Sequence, residues 1–331
     1  MSEENVNPEA KSSAIEQASQ LLQALRDEIK KVLIGQDTTV DMVLVALVAQ
    51  GHVLIEGVPG LGKTLLVRAL AKAFNGKFSR VQFTPDIMPS DVTGHALFNM
   101  AKQEFEIRRG PAFTHLLLAD EINRAPAKTQ AALLEVMQEN RITIEGESYP
   151  TQQPFMVMAT QNPIEQEGTY PLPEAELDRF MLKVEMNYPQ LDHEYSMLYK
   201  LSQGNSPTGF DLSDIKAVVK AEHVSTIRQI VQKVVIDEEL LRYIVTLVRT
   251  TREWNGISRG AGPRATIALM AAARALALLR NNKFVTPDEV KEIFLPALRH
   301  RILLSSELEI EGIKPDQVLS DILQHVATPR A

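Results

Sequence analysis

Two patterns of hydrophobic and polar residues divide the first 190 residues of the chain into alternating strands and helices. Short apolar runs have the length of buried strands, and longer stretches place apolar residues at helical spacing. The predicted strands are residues 52–56, 80–83, 115–119, 154–160 and 180–185. The predicted helices are residues 14–33, 37–49, 63–74 and 127–138. Strands that alternate with helices in this way predict an α/β domain with a buried parallel sheet.

Two further segments of this region do not fit the alternation. Residues 96–108 contain two short strand-like pieces, and residues 141–149 contain another pair around the turn-forming dipeptide Glu145-Gly146. Each segment is predicted to form a hairpin. The pattern itself does not decide between plain surface hairpins and hairpins with a function.

Helical patterns dominate after residue 190. The predicted helices are residues 192–201, 213–221, 237–251, 264–280 and 286–295. The last of them begins at Thr286-Pro287, where a threonine cap precedes a proline in the first turn. We therefore predict three regions: a disordered tail over residues 1–13, an α/β core over residues 14–190, and an all-helical domain over residues 191–331.

Composition and charge exclude several classes of protein. The chain has no cysteine, which excludes disulfides, thiolate metal sites and a cysteine nucleophile. Its net charge of −7 leaves no overall basic field to attract nucleic acid or an anionic membrane surface. The longest apolar stretch, residues 265–279, contains Arg274 and is too short to span a bilayer. We therefore expect a cytoplasmic protein with no stable membrane insertion.

A phosphate-binding loop follows the first predicted strand. Residues 57–64 read Gly-Val-Pro-Gly-Leu-Gly-Lys-Thr and match GxxxxGK[ST], between a strand and a helix as the motif requires. Glycines let backbone N–H groups turn toward a phosphate, and the helix N-terminus adds a favourable dipole. Lys63 is predicted to reach the β- and γ-phosphates, and Thr64 to ligate Mg²⁺. The candidate nucleotide-binding residues of this loop are Gly57, Pro59, Gly60, Leu61, Gly62, Lys63, Thr64 and Leu65.

Two later strands end in residues that suit ATP hydrolysis. The third predicted strand ends in Asp120-Glu121, where Asp120 would hold Mg²⁺ through water and Glu121 would orient and deprotonate the attacking water. The fourth strand leads to Asn162-Pro163, which by itself is also a common turn. Ligands bind at the carboxyl ends of strands in open α/β sheets, so the Asn162 amide is predicted to lie beside the γ-phosphate.

Two arginines complete the set of candidate catalytic residues. Arg179 precedes the last strand, where it could stabilise transition-state charge on a neighbouring subunit's nucleotide, or simply pair with Asp178 or Glu176. Arg264 lies in the first turn of the long apolar helix, where it could report the nucleotide state to the helical domain or be purely structural. The sequence leaves these alternatives open.

The order of these motifs resembles that of AAA+ ATPases. Residues 57–64, Asp120-Glu121, Asn162, Arg179 and Arg264 follow the order of Walker A, Walker B, sensor 1, arginine finger and sensor 2. The finer wording resembles the MoxR family of the helix-2-insert branch, which is related to magnesium chelatase ATPase subunits. The segments that carry this resemblance read Asp-Glu-Ile-Asn-Arg-Ala-Pro over 120–126, Ala-Thr-Gln-Asn-Pro over 159–163, Leu-Pro-Glu-Ala over 172–175 and Leu-Asp-Arg-Phe over 177–180.

The resemblance implies more than the motifs show. It implies a P-loop core with a five-stranded sheet in the order 5-1-4-3-2, a helical lid, and Gly35 and Gln36 on the adenine side of the nucleotide. It also implies ATP and Mg²⁺ as cofactors and a ring, usually hexameric. In such rings the two hairpins line the pore and touch a protein client. MoxR proteins look like chaperone-type remodelling factors that commonly act with von Willebrand factor A domain proteins, and such a protein is therefore a candidate partner.

Two other functions compete with a protein-remodelling ATPase. A DNA or RNA motor is one, because relatives with these hairpins include helicases; the acidic charge and the lack of a helix-turn-helix or zinc module argue against it. A nucleotide-gated scaffold that barely hydrolyses ATP is the other, and the intact Glu121 argues against that. We therefore expect a protein client and no nucleic acid.

Overall fold

The computed structural model describes residues 8–163, 168–203 and 212–329. Its helices are α1 Pro8–Lys30, α2 Asp37–Val48, α3 Lys63–Ala73, α4 Pro89–Thr93, α5 Ala127–Glu139, α6 Glu174–Leu177, α7 Leu191–Gln203, α8 Ala221–Val231, α9 Glu238–Glu253, α10 Pro263–Leu279, α11 Pro287–Leu298, α12 Ser306–Ile310 and α13 Pro315–His325. Its strands are β1 Val53–Glu56, β2 Phe78–Gln82, β3 Gly94–Asn99, β4 Glu104–Arg109, β5 Leu116–Asp120, β6 Arg141–Ile144, β7 Glu147–Pro150, β8 Met156–Gln161, β9 Leu182–Glu185, β10 Ile257–Arg259 and β11 Leu303–Leu304. Helix α1 already begins at Pro8, inside the segment predicted to be a disordered tail.

The core of the molecule is a five-stranded parallel sheet in the order β2-β5-β8-β1-β9. Numbered along the chain, this is the order 5-1-4-3-2, so the predicted α/β fold and sheet topology are confirmed. Strand β1 lies between β8 and β9, with Val53 opposite Met158 on one side and Leu182 on the other. The central strands are buried on both faces, as their near-continuous apolar sequences require.

Both predicted hairpins are present. Strands β3 and β4 pair antiparallel, as do β6 and β7. The second hairpin turns at Glu145-Gly146, where both residues have positive φ, the conformation that a tight two-residue hairpin turn needs.

The helical lid packs against the face of the core that α1 and α2 cover. Helix α10 contacts both of these helices, so one apolar core runs from the sheet into the lid. Arg228 of α8, itself buried, ties the two parts together by donating to the carbonyls of Leu47 and Phe155 and to Gln153 Oε1. Burial lowers the pKa of this arginine to about 10, which leaves it charged at neutral pH.

One predicted helix of the lid is wrong. Residues 213–221 were expected to be helical because Ile215 and Val219 are spaced like one face of a helix. Instead, a single 3-10 turn covers Leu212–Asp214, and the following residues are held to the core by hydrogen bonds from the backbone of Val219 to Ala73 and of Lys216 to the Glu28 carboxylate. The helix begins later, as α8, and the lid also contains the small β10–β11 sheet.

No helix in the part of the chain that the structure describes is long and apolar enough to cross a membrane.

Candidate functional site

The phosphate loop connects the end of β1 to the start of α3. Gly62 caps α3 with φ of 93°, a left-handed conformation that favours glycine. A Cβ on Gly57 would lie 2.6 Å from the carbonyl oxygen of Met186, so the loop also needs glycine where it passes the end of β9. The Lys63 ammonium folds back across the loop and donates to the carbonyl oxygen of Gly57. The loop is thus a closed turn at the N-terminus of a helix, the geometry that binds phosphate.

The carboxyl ends of β5 and β8 face this loop across a cleft of about 390 Å³. The side chains of Lys63, Asp120 and Asn162 meet there because the strands that lead to them, β1, β5 and β8, lie side by side in the sheet. The residues that line the cleft are Pro59, Gly60, Gly62, Lys63, Thr64, Leu65, Arg80, Gln82, Asp120, Glu121, Thr160 and Asn162. Most of the predicted phosphate-site residues therefore converge on one cavity, whereas Gly57 and Leu61 lie at the base of the loop.

Burial and the neighbouring carboxylates shift the pKa of Lys63 in opposite directions. Burial lowers the pKa of Lys63, while the nearby carboxylates of Asp120, Glu121 and Glu56 oppose that shift by stabilising the ammonium. Glu56 is itself paired with Lys183, at 2.8 Å. The cleft therefore combines two cations, Lys63 and Arg80, with the two carboxylates at the end of β5, a charge pattern that suits a polyphosphate and a divalent cation together.

Thr160 holds the two acids of β5 in place, and sequence reasoning missed it. Its buried hydroxyl donates to Asp120 Oδ1 at 2.6 Å and accepts from the backbone N–H of Glu121 at 2.9 Å. Glu121 has φ of 56°, a left-handed conformation that costs a non-glycine residue roughly 1–3 kcal/mol. One side chain on β8 thus fixes both the carboxylate of Asp120 and the strained backbone that aims Glu121.

Two arginines that the sequence did not single out pair with the same acids. Arg80 of β2 bonds Asp120 Oδ2 at 2.6 Å, and Arg124 bonds Glu121 Oε2 at 3.1 Å. Arg80 lies two residues from the end of an exposed strand, and nothing in its local pattern separates it from a surface residue. Both acids at the end of β5 are therefore charge-neutralised within the chain.

The predicted adenine-side residues lie behind the phosphate loop, outside the cleft lining. Gln36 caps α2 and is almost fully buried, with its Nε2 donating to the carbonyl of Asn187 at 2.8 Å. Gly35 has φ of 77°, and a Cβ there would lie 2.8 Å from Cβ of His193. These residues pack against the connection from β9 to α7. Leu33, two residues earlier, approaches Gly62 of the phosphate loop.

The two predicted catalytic arginines do not line the cleft of their own chain. Arg179 lies half-buried in the turn between α6 and β9. Arg264, in the first turn of α10, places its guanidinium 3.4 Å from Asp178 Oδ2. The carboxylate of Asp178 also accepts from Arg301. Of the two partners weighed for Arg179 from the sequence, Glu176 is near enough for the Arg179 charge to oppose the rise that burial causes in the pKa of that carboxyl. Within one chain, both arginines lie at the junction of core and lid.

Comparison with known proteins agrees with this fold. Residues 52–182 match the model of the ATPase family associated with various cellular activities (AAA), and residues 249–322 match the AAA lid domain. The chain is similar to the crystal structure of a protein from Cytophaga hutchinsonii, with 42% identity, a TM-score of 0.88 and coverage of 97% of this chain and 98% of that one. The P-loop core and its lid thus define an AAA+ ATPase, a class that binds nucleotide.

Two relatives place the chain more narrowly. It is 41% identical to Chaperone MoxR1 of Mycobacterium tuberculosis over 92% of this chain and 81% of that protein. It is 44% identical to the protein YeaC of Bacillus subtilis over 92% of this chain and 93% of that one. The chain belongs to the MoxR family of AAA+ ATPases.

Proposed function

We propose that this protein is a magnesium-dependent ATPase that assembles into a ring and remodels a partner protein or complex. The observation that carries the proposal is the convergence of Lys63, Asp120, Glu121 and Asn162 on one cleft at the phosphate loop. A protein that only bound nucleotide would not need the strained backbone that orients Glu121.

Each residue of the cleft has a distinct role in this proposal. Lys63 binds the β- and γ-phosphates, and the loop N–H groups hold the remaining phosphate oxygens. Glu121 orients the attacking water and accepts its proton, while the Asn162 amide holds that water from the other side. Glu121 must leave Arg124 to do so, and a 3.1 Å pair on a partly exposed arginine is weak enough to exchange.

The oxygen atoms at the cleft fit a magnesium ion. Thr64 and Asp120 both line the cavity and supply the hydroxyl and carboxylate oxygens that Mg²⁺ prefers. When bound, Mg²⁺ would neutralise charge that develops on the phosphates. Asp120 already has Thr160 on one oxygen and Arg80 on the other, which suits contact through water better than direct ligation.

Two substitutions test the chemistry. Lys63→Ala is expected to abolish or greatly weaken ATP binding, and Glu121→Gln to preserve binding while it stops turnover. Titration of a fluorescent ATP analogue measures the first, and phosphate release measures the second. Full turnover by Glu121→Gln would remove this residue as the base and with it the proposed mechanism.

An exposed apolar stripe on α7 supports assembly with further copies of this chain. Its five residues are between 58% and 80% exposed. Leu191, Tyr195, Leu198 and Tyr199 lie on one face of α7 at helical spacing, and Tyr188 lies in the connection just before the helix. They expose on the order of 600 Å², against the roughly 300–600 Å² of the largest patch on a typical monomer. A standard interface buries about 800 Å² per partner, so the stripe would form most of one side.

The β3–β4 hairpin supports a polypeptide client. Ala96, Phe98, Phe105 and Ile107 form one apolar face, with Phe98 and Phe105 directly opposite each other and more than half exposed. Of the bases of this hairpin, Lys102 pairs with Glu106 at 2.6 Å and Arg109 lies over the Phe113 ring, which leaves Arg108 as the cation without an ion pair among the described residues. Nucleic-acid binding needs several uncompensated cations, so this face suits an apolar polypeptide segment better.

The nucleic-acid motor remains the alternative function, and the identity of the partner a separate question. A von Willebrand factor A domain protein is a candidate partner on the family resemblance alone. A pull-down with ATP-trapped Glu121→Gln protein would identify the client. Recovery of nucleic acid instead of protein would reverse the choice between the two functions.

A further inference from the structure

The turn that carries Arg179 is held by a buried arginine of the lid, 123 residues away in sequence. The Arg301 side chain is only 2% exposed. Its Nε donates to Asp178 Oδ1 at 2.7 Å, and its Nη2 donates to the carbonyls of Asp178 and Phe180 at 3.2 and 2.8 Å. Its Nη1 donates to the carbonyl of Met181 at 3.2 Å. One side chain therefore grips the backbone on both sides of Arg179.

His300 adds a further hydrogen bond to the same turn. Its Nε2 donates to the carbonyl of Phe180 at 3.0 Å, and the ring is buried. Burial and the neighbouring Arg301 guanidinium hold the pKa of His300 well below its ordinary value, so the ring is neutral and has a single N–H to donate. Two adjacent lid residues, His300 and Arg301, thus form hydrogen bonds with the few residues around Arg179.

Asp178 connects Arg301 to Arg264, the arginine in the first turn of α10. One of its carboxylate oxygens accepts from the buried Arg301, and the other lies 3.4 Å from the half-exposed Arg264. The first pair is short and shielded from water, whereas the second is long and exposed to it. Arg264 is therefore free to leave Asp178 when a phosphate offers a stronger acceptor, while Arg301 keeps its hold.

We propose that Arg301 is a positioning residue that fixes the turn of Arg179 to the lid, so that the two move together. Asp178 is the carboxylate shared between Arg301 and Arg264. Movement of the lid in one subunit then moves the arginine that serves the neighbouring subunit's nucleotide. This inference rests on the proposed role of Arg179 in a neighbour's site.

The test uses mixtures of two chains that are each inactive alone. Glu121→Gln chains keep Arg179 but cannot turn over ATP, and Arg179→Ala chains keep Glu121 but lack the arginine. If Arg179 acts on a neighbour, the mixture regains phosphate release, because Glu121→Gln donors supply the arginine to Arg179→Ala acceptors. No recovery would refute the role of Arg179 in a neighbour's site and the present inference with it.

Arg301→Gln is then added to one partner at a time. In the donor it is expected to lower the recovered rate roughly 10- to 100-fold, the cost of a misplacement of about 1 Å. In the acceptor it is expected to lower the recovered rate much less, because Arg301 does not line the phosphate-loop cleft and reaches the acceptor's own site only through Asp178 and Arg264. Binding of a fluorescent ATP analogue should be unaltered in both.

Two further variants serve as a control and as a second test. Arg242→Gln removes an exposed lid ion pair with Glu238 and should leave the recovered rate unchanged in the donor as well. Asp178→Asn keeps the size of the shared side chain, and it carries the test if Arg301→Gln does not fold. Recovery by donors with Arg301→Gln or Asp178→Asn equal to that of the plain donor overturns the proposal. An equal loss with donor and acceptor also overturns it, because it shows a merely structural role.

Discussion

The substitution Thr160→Val tests whether one buried hydroxyl organises the hydrolytic end of β5. Valine keeps the shape of threonine and leaves no cavity, so its effect reports the lost hydroxyl. The Asp120 carboxylate loses a charge-assisted hydrogen bond, which contributes about 1.5–3 kcal/mol. The Glu121 N–H loses the Thr160 acceptor, which costs about 1–3 kcal/mol when the group stays buried. We expect a total loss of roughly 2.5–6 kcal/mol in the free energy of unfolding.

The same substitution should also slow turnover. Glu121 keeps its left-handed backbone only while its surroundings impose it, and Thr160 is part of those surroundings. A displacement of the base by about 1 Å costs on the order of 100-fold in rate. ATP binding, which depends mainly on the phosphate loop, should change little.

Thr160→Ser is the matched control, because it keeps the hydroxyl and loses only a methyl group, worth about 1 kcal/mol. Urea unfolding gives the stability of each variant, and steady-state phosphate release gives the rate. The reasoning is refuted if the valine variant is as stable and as active as the serine variant.

Three further predictions follow from other parts of the molecule. Burial holds the pKa of His52 at about 4, below its ordinary 6.5, so between these values the unfolded chain binds a proton that the folded chain does not. Stability should therefore fall as pH is lowered through this window, by about 2 kcal/mol for this residue at pH 5, and unfolding curves equal at pH 7 and 5 would contradict this. Tyr195→Glu combined with Leu198→Glu should block assembly, seen by light scattering as monomers whose activity per chain no longer rises with concentration; rings that persist would remove α7 from the interface. Phe98→Ser combined with Phe105→Ser should weaken stimulation of the ATPase by an unfolded polypeptide and leave the basal rate intact. Severalfold stimulation of the unmodified protein by DNA or RNA that fades with salt would instead support the motor.

A matched control exists for the assembly variant. Ile267 of the lid is 64% exposed and lies outside the α7 stripe, so Ile267→Glu adds a charge of the same sign to an exposed apolar position elsewhere. We expect it to leave assembly unchanged. Equal disruption by both changes would show an unspecific effect of added charge.

The features that could be predicted from the sequence are those whose cause is local. The glycines of the phosphate loop, the apolar strand before it and the helix after it stand next to one another in the chain, and the motif therefore predicts its own geometry. The strand ends at Asp120 and Asn162 could also be placed, because parallel strands present their carboxyl ends at one edge of the sheet. Apolar period and turn residues were enough for the two hairpins.

Contacts between side chains that are far apart in the chain could not be predicted and are seen only in the folded structure. Thr160 reaches Asp120 because β5 and β8 are neighbours, and Arg301 reaches Asp178 because the lid packs against the start of β9. Neither contact leaves a periodic trace in the sequence, since each depends on the pairing of elements far apart in the chain. The helix predicted over residues 213–221 failed for the same reason: Ile215 and Val219 have helical spacing, but hydrogen bonds to the core hold their backbone outside a helix.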